Sequence, residues 1–165
     1  MTAITKISCW AGILGACLLA ATGAMLTYEV VARYFFIKPT IWAAELSQLC
    51  LIWGCLLAMA WVLSKRHHIT VNAVTNLLPI QIQKVLVTLS LLIILIFSGI
   101  VTIWGWEIFY DSFSRGRTTG SLLNLQSWIA ELSVPVGFAL TFAQALSELL
   151  TIRKSGLTTL GSGGE

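Results

Sequence analysis

Four long apolar stretches divide the chain, and nearly every ionisable residue lies at one of their ends. Lys6 and Glu29 bracket the first, Glu45 and Lys65 the second, and Lys84 and Glu107 the third, while Glu131 and Glu148 stand just inside the ends of the fourth. A helix rising about 1.5 Å per residue needs roughly 20 apolar residues to cross a hydrocarbon core of about 30 Å. The pattern therefore predicts four membrane-spanning helices, over about residues 9–35, 42–64, 80–110 and 128–150, in a single domain covering 1–155. Residues 156–165 are small and polar and read as a flexible tail, its Gly161-Ser162-Gly163-Gly164 run native or a cloning scar.

Between the second and third spans, Val71, Val74 and Leu77 or Leu78 repeat at helical spacing while Asn72, Thr75 and Asn76 face away. Too short to cross, this segment reads as an amphipathic helix lying in the interface. The fold class is thus an all-α integral membrane protein of four transmembrane helices plus a short interfacial one.

Within the spans, residue type adds detail. Trp10 and Tyr34 stand where aromatic side chains favour the two interfaces. Gly12, Ala16, Ala20 and Ala24 recur every fourth residue and form one smooth ridge, suited to close approach by a helix of this chain or of a partner. Gly54 and Ala58 offer a second small-residue contact, and Thr40 is expected to cap the second span. Pro135 and Gly137 are expected to bend the fourth, or to free a carbonyl for a neighbouring helix to satisfy. Asp111 to Gln126, rich in Ser, Thr and Gly, reads as the longest polar connection.

Composition excludes a soluble domain. The chain is 57% apolar and 10% charged, with a mean hydropathy of +0.87, against about 25% charged residues in soluble domains. Val85 to Trp104 holds fourteen Leu, Ile, Val or Phe residues, each favouring insertion by about 0.3–0.6 kcal/mol at the helix centre. The first stretch runs on through Met25, Leu26, Val30 and Val31, beyond the roughly 7–15 apolar residues of a signal peptide, and is read as a retained span. With the N-terminus inside, six basic residues (Lys6, Lys65, Arg66, Lys84, Arg153, Lys154) face the cytoplasm and four (Arg33, Lys38, Arg115, Arg117) the other side. The excess favours both termini inside. Basic residues spread over both sides call for no nucleic-acid partner.

Candidate chemistry is sparse. A transporter acting alone needs polar or ionisable groups near the midplane, where this chain offers Thr22, Thr27, Cys50, Ser98, Thr141 and Gln144. No bound charged substrate is expected within it. Haem needs axial ligands facing each other across the bundle, yet the two histidines, His67 and His68, are adjacent in a loop. Cys9, Cys17, Cys50 and Cys55 fit no CxxC or zinc spacing and read as small packing residues. No catalytic residue, metal or cofactor is expected. Glu29 and Arg33, four apart, share a helix face and are placed to pair. Glu45, early in the second span, is expected to approach Arg33 if the first two spans form a tight hairpin. This cluster reads either as an interfacial snorkelling pair or as a polar clasp orienting the hairpin against a partner. Glu131 and Glu148 divide between the same two readings, with the interfacial one favoured.

The run Arg33-Tyr34-Phe35-Phe36, then Pro39, Trp42, Glu45, Trp53 and Gly54, followed by Lys65-Arg66-His67-His68-Ile69-Thr70-Val71, Leu77-Leu78-Pro79 and Val134-Pro135-Val136-Gly137-Phe138, resembles the DctQ family. These are the small membrane subunits of tripartite ATP-independent periplasmic (TRAP) transporters, and the resemblance covers roughly residues 10–150. His67 departs from it, since a small residue is common there. The resemblance implies a bacterial inner-membrane protein that braces a large polytopic TRAP subunit during sodium-coupled uptake of an organic acid delivered by a periplasmic solute-binding protein. It marks Glu29, Arg33, Tyr34, Trp42, Glu45 and His68 as motif and subunit-contact residues, with no substrate-binding role. Two other readings compete. One is a self-sufficient small multidrug-type exporter using Glu29, which Arg33 would hold ionised. The other is an assembly subunit of an unrelated membrane complex.

Overall fold

The structure, a computed structural model, describes residues 3–38, 40–66, 80–120 and 123–155. These form four helices: α1 (Ala3–Phe35), α2 (Ile41–Arg66), α3 (Ile80–Arg115) and α4 (Ser127–Ser155). All four are long and apolar enough to cross a membrane, so the fold class read from the charge pattern is borne out. The expected amphipathic helix, His67, His68 and the tail lie outside the described residues.

Helix ends differ from expectation where local bonds extend them. α3 continues past Tyr110 to Arg115 because Asp111, four residues earlier, pairs with the Arg115 guanidinium at 2.6 Å. The residues from Asp111 to Arg115 are therefore helical, and the polar connection is shorter than the sequence suggested. Gly116 then turns left-handed, at φ 60°. α1 ends differently: the Phe36 and Lys38 amides both donate to the Ala32 carbonyl at 3.2 Å, with Ile37 at φ 52° between them. That is a left-handed helix stop with isoleucine where glycine is usual. Thr40 does stand immediately before α2, but its hydroxyl oxygen is buried and makes no hydrogen bond among the described residues, so the expected side-chain cap is not formed.

The helices lie in the order α1, α2, α4, α3. α1 packs along α2 and α3 along α4; α2 and α4 join the two hairpins, α1 touches α4 over a short length, and α3 meets α1 and α2 only marginally. Small residues set the closest approaches. A Cβ at Gly15 would fall 2.7 Å from the Gly54 carbonyl oxygen, and one at Gly137 2.7 Å from Leu56 Cβ, so α1 meets α2 and α2 meets α4 nearly backbone to backbone. The ridge read from the sequence is corrected here. Gly12 and Gly15 turn inward, whereas Ala16, Ala20 and Ala24 face outward.

The α3–α4 seam is aromatic at one end. Trp128 lies between Phe109 and Phe113, at 6.3 and 5.7 Å between ring centroids, and Gly105 sits opposite Val134 and Pro135. α4 continues through Pro135. The Trp53 indole N–H of α2 donates to the Ile129 carbonyl at 3.0 Å, two residues before the Glu131 carbonyl that Pro135 leaves without its i+4 donor.

Candidate functional site

Five of the motif residues, Glu29, Arg33, Tyr34, Trp42 and Glu45, lie toward the end of the molecule where α1 stops, α2 starts and α3 turns into α4. Glu29, in the last turns of α1, is buried, and Arg33 reaches back along the helix to it. Its Nη2 and Nε donate to Glu29 Oε1 at 2.6 and 3.2 Å. The expected pair is formed, with the carboxylate side chain 8% exposed and the guanidinium 58% exposed. The arrangement hides the anion against the hairpin and leaves the cation toward the surroundings, as snorkelling requires. Beside it, Tyr28 and Trp42 stack across the hairpin at 6.1 Å, and Tyr34 points outward, 77% exposed.

Glu45 reaches the connection between α3 and α4. Its Oε1 accepts from the Leu123 backbone amide at 3.3 Å, which ties α2 to it. That connection is itself a small hairpin: the Thr119 amide donates to the Leu125 carbonyl at 2.9 Å, and Ser127 to Arg117 at 3.0 Å. Left-handed residues at Gly116, Gly120 and Asn124 shape it, and Asp111 anchors it by holding Arg117 at 3.0 Å as well as Arg115. Glu45, Gln48, Thr119 and Gln126 thus border a cleft of about 300 Å³ between helix and hairpin.

Deeper in, the polar side chains are mostly bonded to their own helices. Thr22 donates to the Leu18 carbonyl, Ser98 to Leu95 and Thr141 to Gly137. Thr22 also donates to the Ser47 carbonyl of α2 at 3.3 Å, and Gln144 too bonds across helices. It is fully buried, accepts from Ser8 Oγ at 2.9 Å, and donates to Glu148 Oε1 at 2.9 Å. This chain of bonds ties α1 to α4, and sequence reading missed it, although an uncharged amide amid apolar residues is itself a signal that a partner is near.

Two buried oxygens of the α3–α4 seam have no hydrogen-bond partner among the described residues: Ser112 Oγ and Glu131 Oε2. The aromatic contacts and Gly105 fix the register of this seam and put both residues on facing sides. Helical side chains tilt toward their own N-terminus, so in this antiparallel pair Ser112 and Glu131 lean toward the same level. Pro135 has no N–H to offer the Glu131 carbonyl. Among the described residues, no group of three His, Cys, Asp or Glu stands together.

The fold and these contacts define a multi-pass α-helical membrane protein. Residues 22–154 match the family described as the DctQ component of tripartite ATP-independent periplasmic transporters, and the chain belongs to that family. It is similar to the sialic acid TRAP transporter small permease protein SiaQ of Vibrio cholerae, at 23% identity over 142 residues, covering 83% of this chain and 78% of that protein. It is 26% identical over 126 residues to the C4-dicarboxylate TRAP transporter small permease protein DctQ of Pseudomonas aeruginosa, covering 75% and 60%. A third relative, the sialic acid TRAP transporter permease protein SiaT of Haemophilus influenzae, is 28% identical over 112 residues, or 68% of this chain and 18% of that protein.

Proposed function

We propose that this chain is the stationary brace of a TRAP transporter in the bacterial inner membrane, with both termini cytoplasmic. It holds a large polytopic subunit in place while that subunit carries an organic acid, coupled to sodium, from a periplasmic binding protein into the cell. The observation that carries this reading is the family match over residues 22–154. Relatives named for sialic acid and for C4-dicarboxylates support an organic acid as the solute. An outward ridge of Ala16, Ala20 and Ala24 suits a partner helix at close range, and the pairing of Glu29 with Arg33 suits an orienting clasp. On this reading Tyr34, Trp42, Glu45 and His68 belong to the same subunit contact.

The test is a mild-detergent pull-down of the tagged chain from its native membrane, followed by mass spectrometry. A stoichiometric large polytopic partner is the expected result. Recovery of a homo-oligomer alone would overturn the brace role and favour a self-sufficient transporter.

A further inference from the structure

A cavity of about 490 Å³ opens where α1 ends and α2 begins, lined by Tyr28, Val31, Ala32, Phe36, Lys38 and Thr40. Its wall is of two kinds. Val31, Ala32 and Phe36 make one side apolar, at the depth where a membrane span gives way to its connection. Lys38 makes the other side cationic. Its backbone amide is held by the Ala32 carbonyl, and its ammonium makes no ion pair among the described residues. Arg33, the nearest other cation in sequence, is already committed to Glu29.

Two further donors border the cavity. The buried Thr40 hydroxyl has no hydrogen-bond partner among the described residues, and a buried polar group in that state marks a bond waiting to be made. That hydroxyl does not cap α2 among the described residues, and no acidic residue stands in the first turn, so no carboxylate of that turn offsets the positive end of the helix dipole at the rim. Such a terminus favours negative charge. An ammonium, a hydroxyl and a helix N-terminus beside an apolar wall, at membrane-interface depth, match one ligand class: an anionic headgroup carrying a hydrocarbon chain.

We propose that this cavity binds a single anionic phospholipid, its phosphate held by Lys38, Thr40 and the start of α2, and its upper acyl chain laid along Val31, Ala32 and Phe36. The site tethers the α1–α2 corner to the surrounding leaflet. It rests on this chain's own geometry and stands or falls independently of the solute or partner assigned above.

The test uses the detergent-purified protein with whatever subunit accompanies it. Native mass spectrometry would measure retention of three probes: phosphatidylglycerol, diacylglycerol with the same chains, and inorganic phosphate. Phosphatidylglycerol alone is expected to be retained, at one copy per chain. Lys38→Gln, an exposed position where the fold is not at risk, and Val31→Trp, which fills the apolar wall, should each weaken retention about tenfold, equivalent to about 1.4 kcal/mol. Arg117→Gln should leave it unchanged. Equal retention of phosphatidylglycerol by wild type and Lys38→Gln would overturn the proposal. Full competition by inorganic phosphate would make this a free-anion site, and equal retention of diacylglycerol an apolar cleft; either result refutes the lipid assignment.

Discussion

The backbone amide of Leu123 donates to Glu45 Oε1 at 3.3 Å, so a carboxylate early in α2 holds down the connection between α3 and α4, 78 residues further along the chain. Glu45→Ala removes the acceptor, and Glu45→Gln keeps one. We expect faster amide exchange and proteolysis across residues 117–126 in Glu45→Ala than in Glu45→Gln. If the hairpin forms part of the subunit contact, co-purification of the large subunit falls in the same order. Unaltered exchange in both variants would show that the hairpin stands without Glu45.

Arg33 is the counterion of a carboxylate with little access to water. Arg33→Ala strands that carboxylate, and the loss of a charged hydrogen-bonded partner should lower stability by about 1–3 kcal/mol, reduced by the exposure of the guanidinium. Glu29→Gln in the same background should recover most of the loss, because an amide needs no counterion. Thermal unfolding of the three variants in detergent decides this: additive losses would mean that the pair carries no coupling.

Gly15 and Gly23 make opposite predictions from the same substitution. A Cβ at Gly15 meets the Gly54 carbonyl at 2.7 Å, while nothing lies within 4 Å of one at Gly23. Gly15→Ala should cost about 1–3 kcal/mol by forcing α1 from α2, and Gly23→Ala should be neutral or slightly stabilising through helix propensity. Equal melting temperatures for the two would contradict the packing described.

Ser112 carries a buried hydroxyl with no partner among the described residues. Removing such a group avoids a desolvation penalty of about 1–3 kcal/mol, so Ser112→Ala should raise the melting temperature, an unusual sign for a substitution in a packed seam. A clear drop would show that Ser112 and Glu131 share a bound water or another ligand.

The number and approximate bounds of the spans were legible because charge is costly in hydrocarbon, and Lys6, Glu29, Glu45, Lys65, Lys84 and Glu107 mark where each span must end. The pairing of Glu29 with Arg33 was legible because it is local. What faces what was harder to read. In water, an apolar stripe reveals the buried side of a helix; in lipid, the surroundings are as apolar as leucine, and the stripe disappears. Hence the ridge of Ala16, Ala20 and Ala24 gave no sign of pointing outward while Gly15 pointed in. Long-range bonds such as Ser8 to Gln144, 136 residues apart, and Glu45 to Leu123 depend on tertiary placement that no local spacing encodes.

The helix order α1, α2, α4, α3 also bears on how the molecule is made. Its two largest interfaces join consecutive helices, so each hairpin can close as soon as its second helix enters the bilayer, at little loop-closure cost. On that route the α2–α4 contact would follow the two hairpins, and it depends on Gly137 meeting Leu56 and on Trp53 reaching Ile129. A substitution there should leave two properly inserted hairpins that fail to join, a defect of assembly within one chain that insertion assays would score as normal.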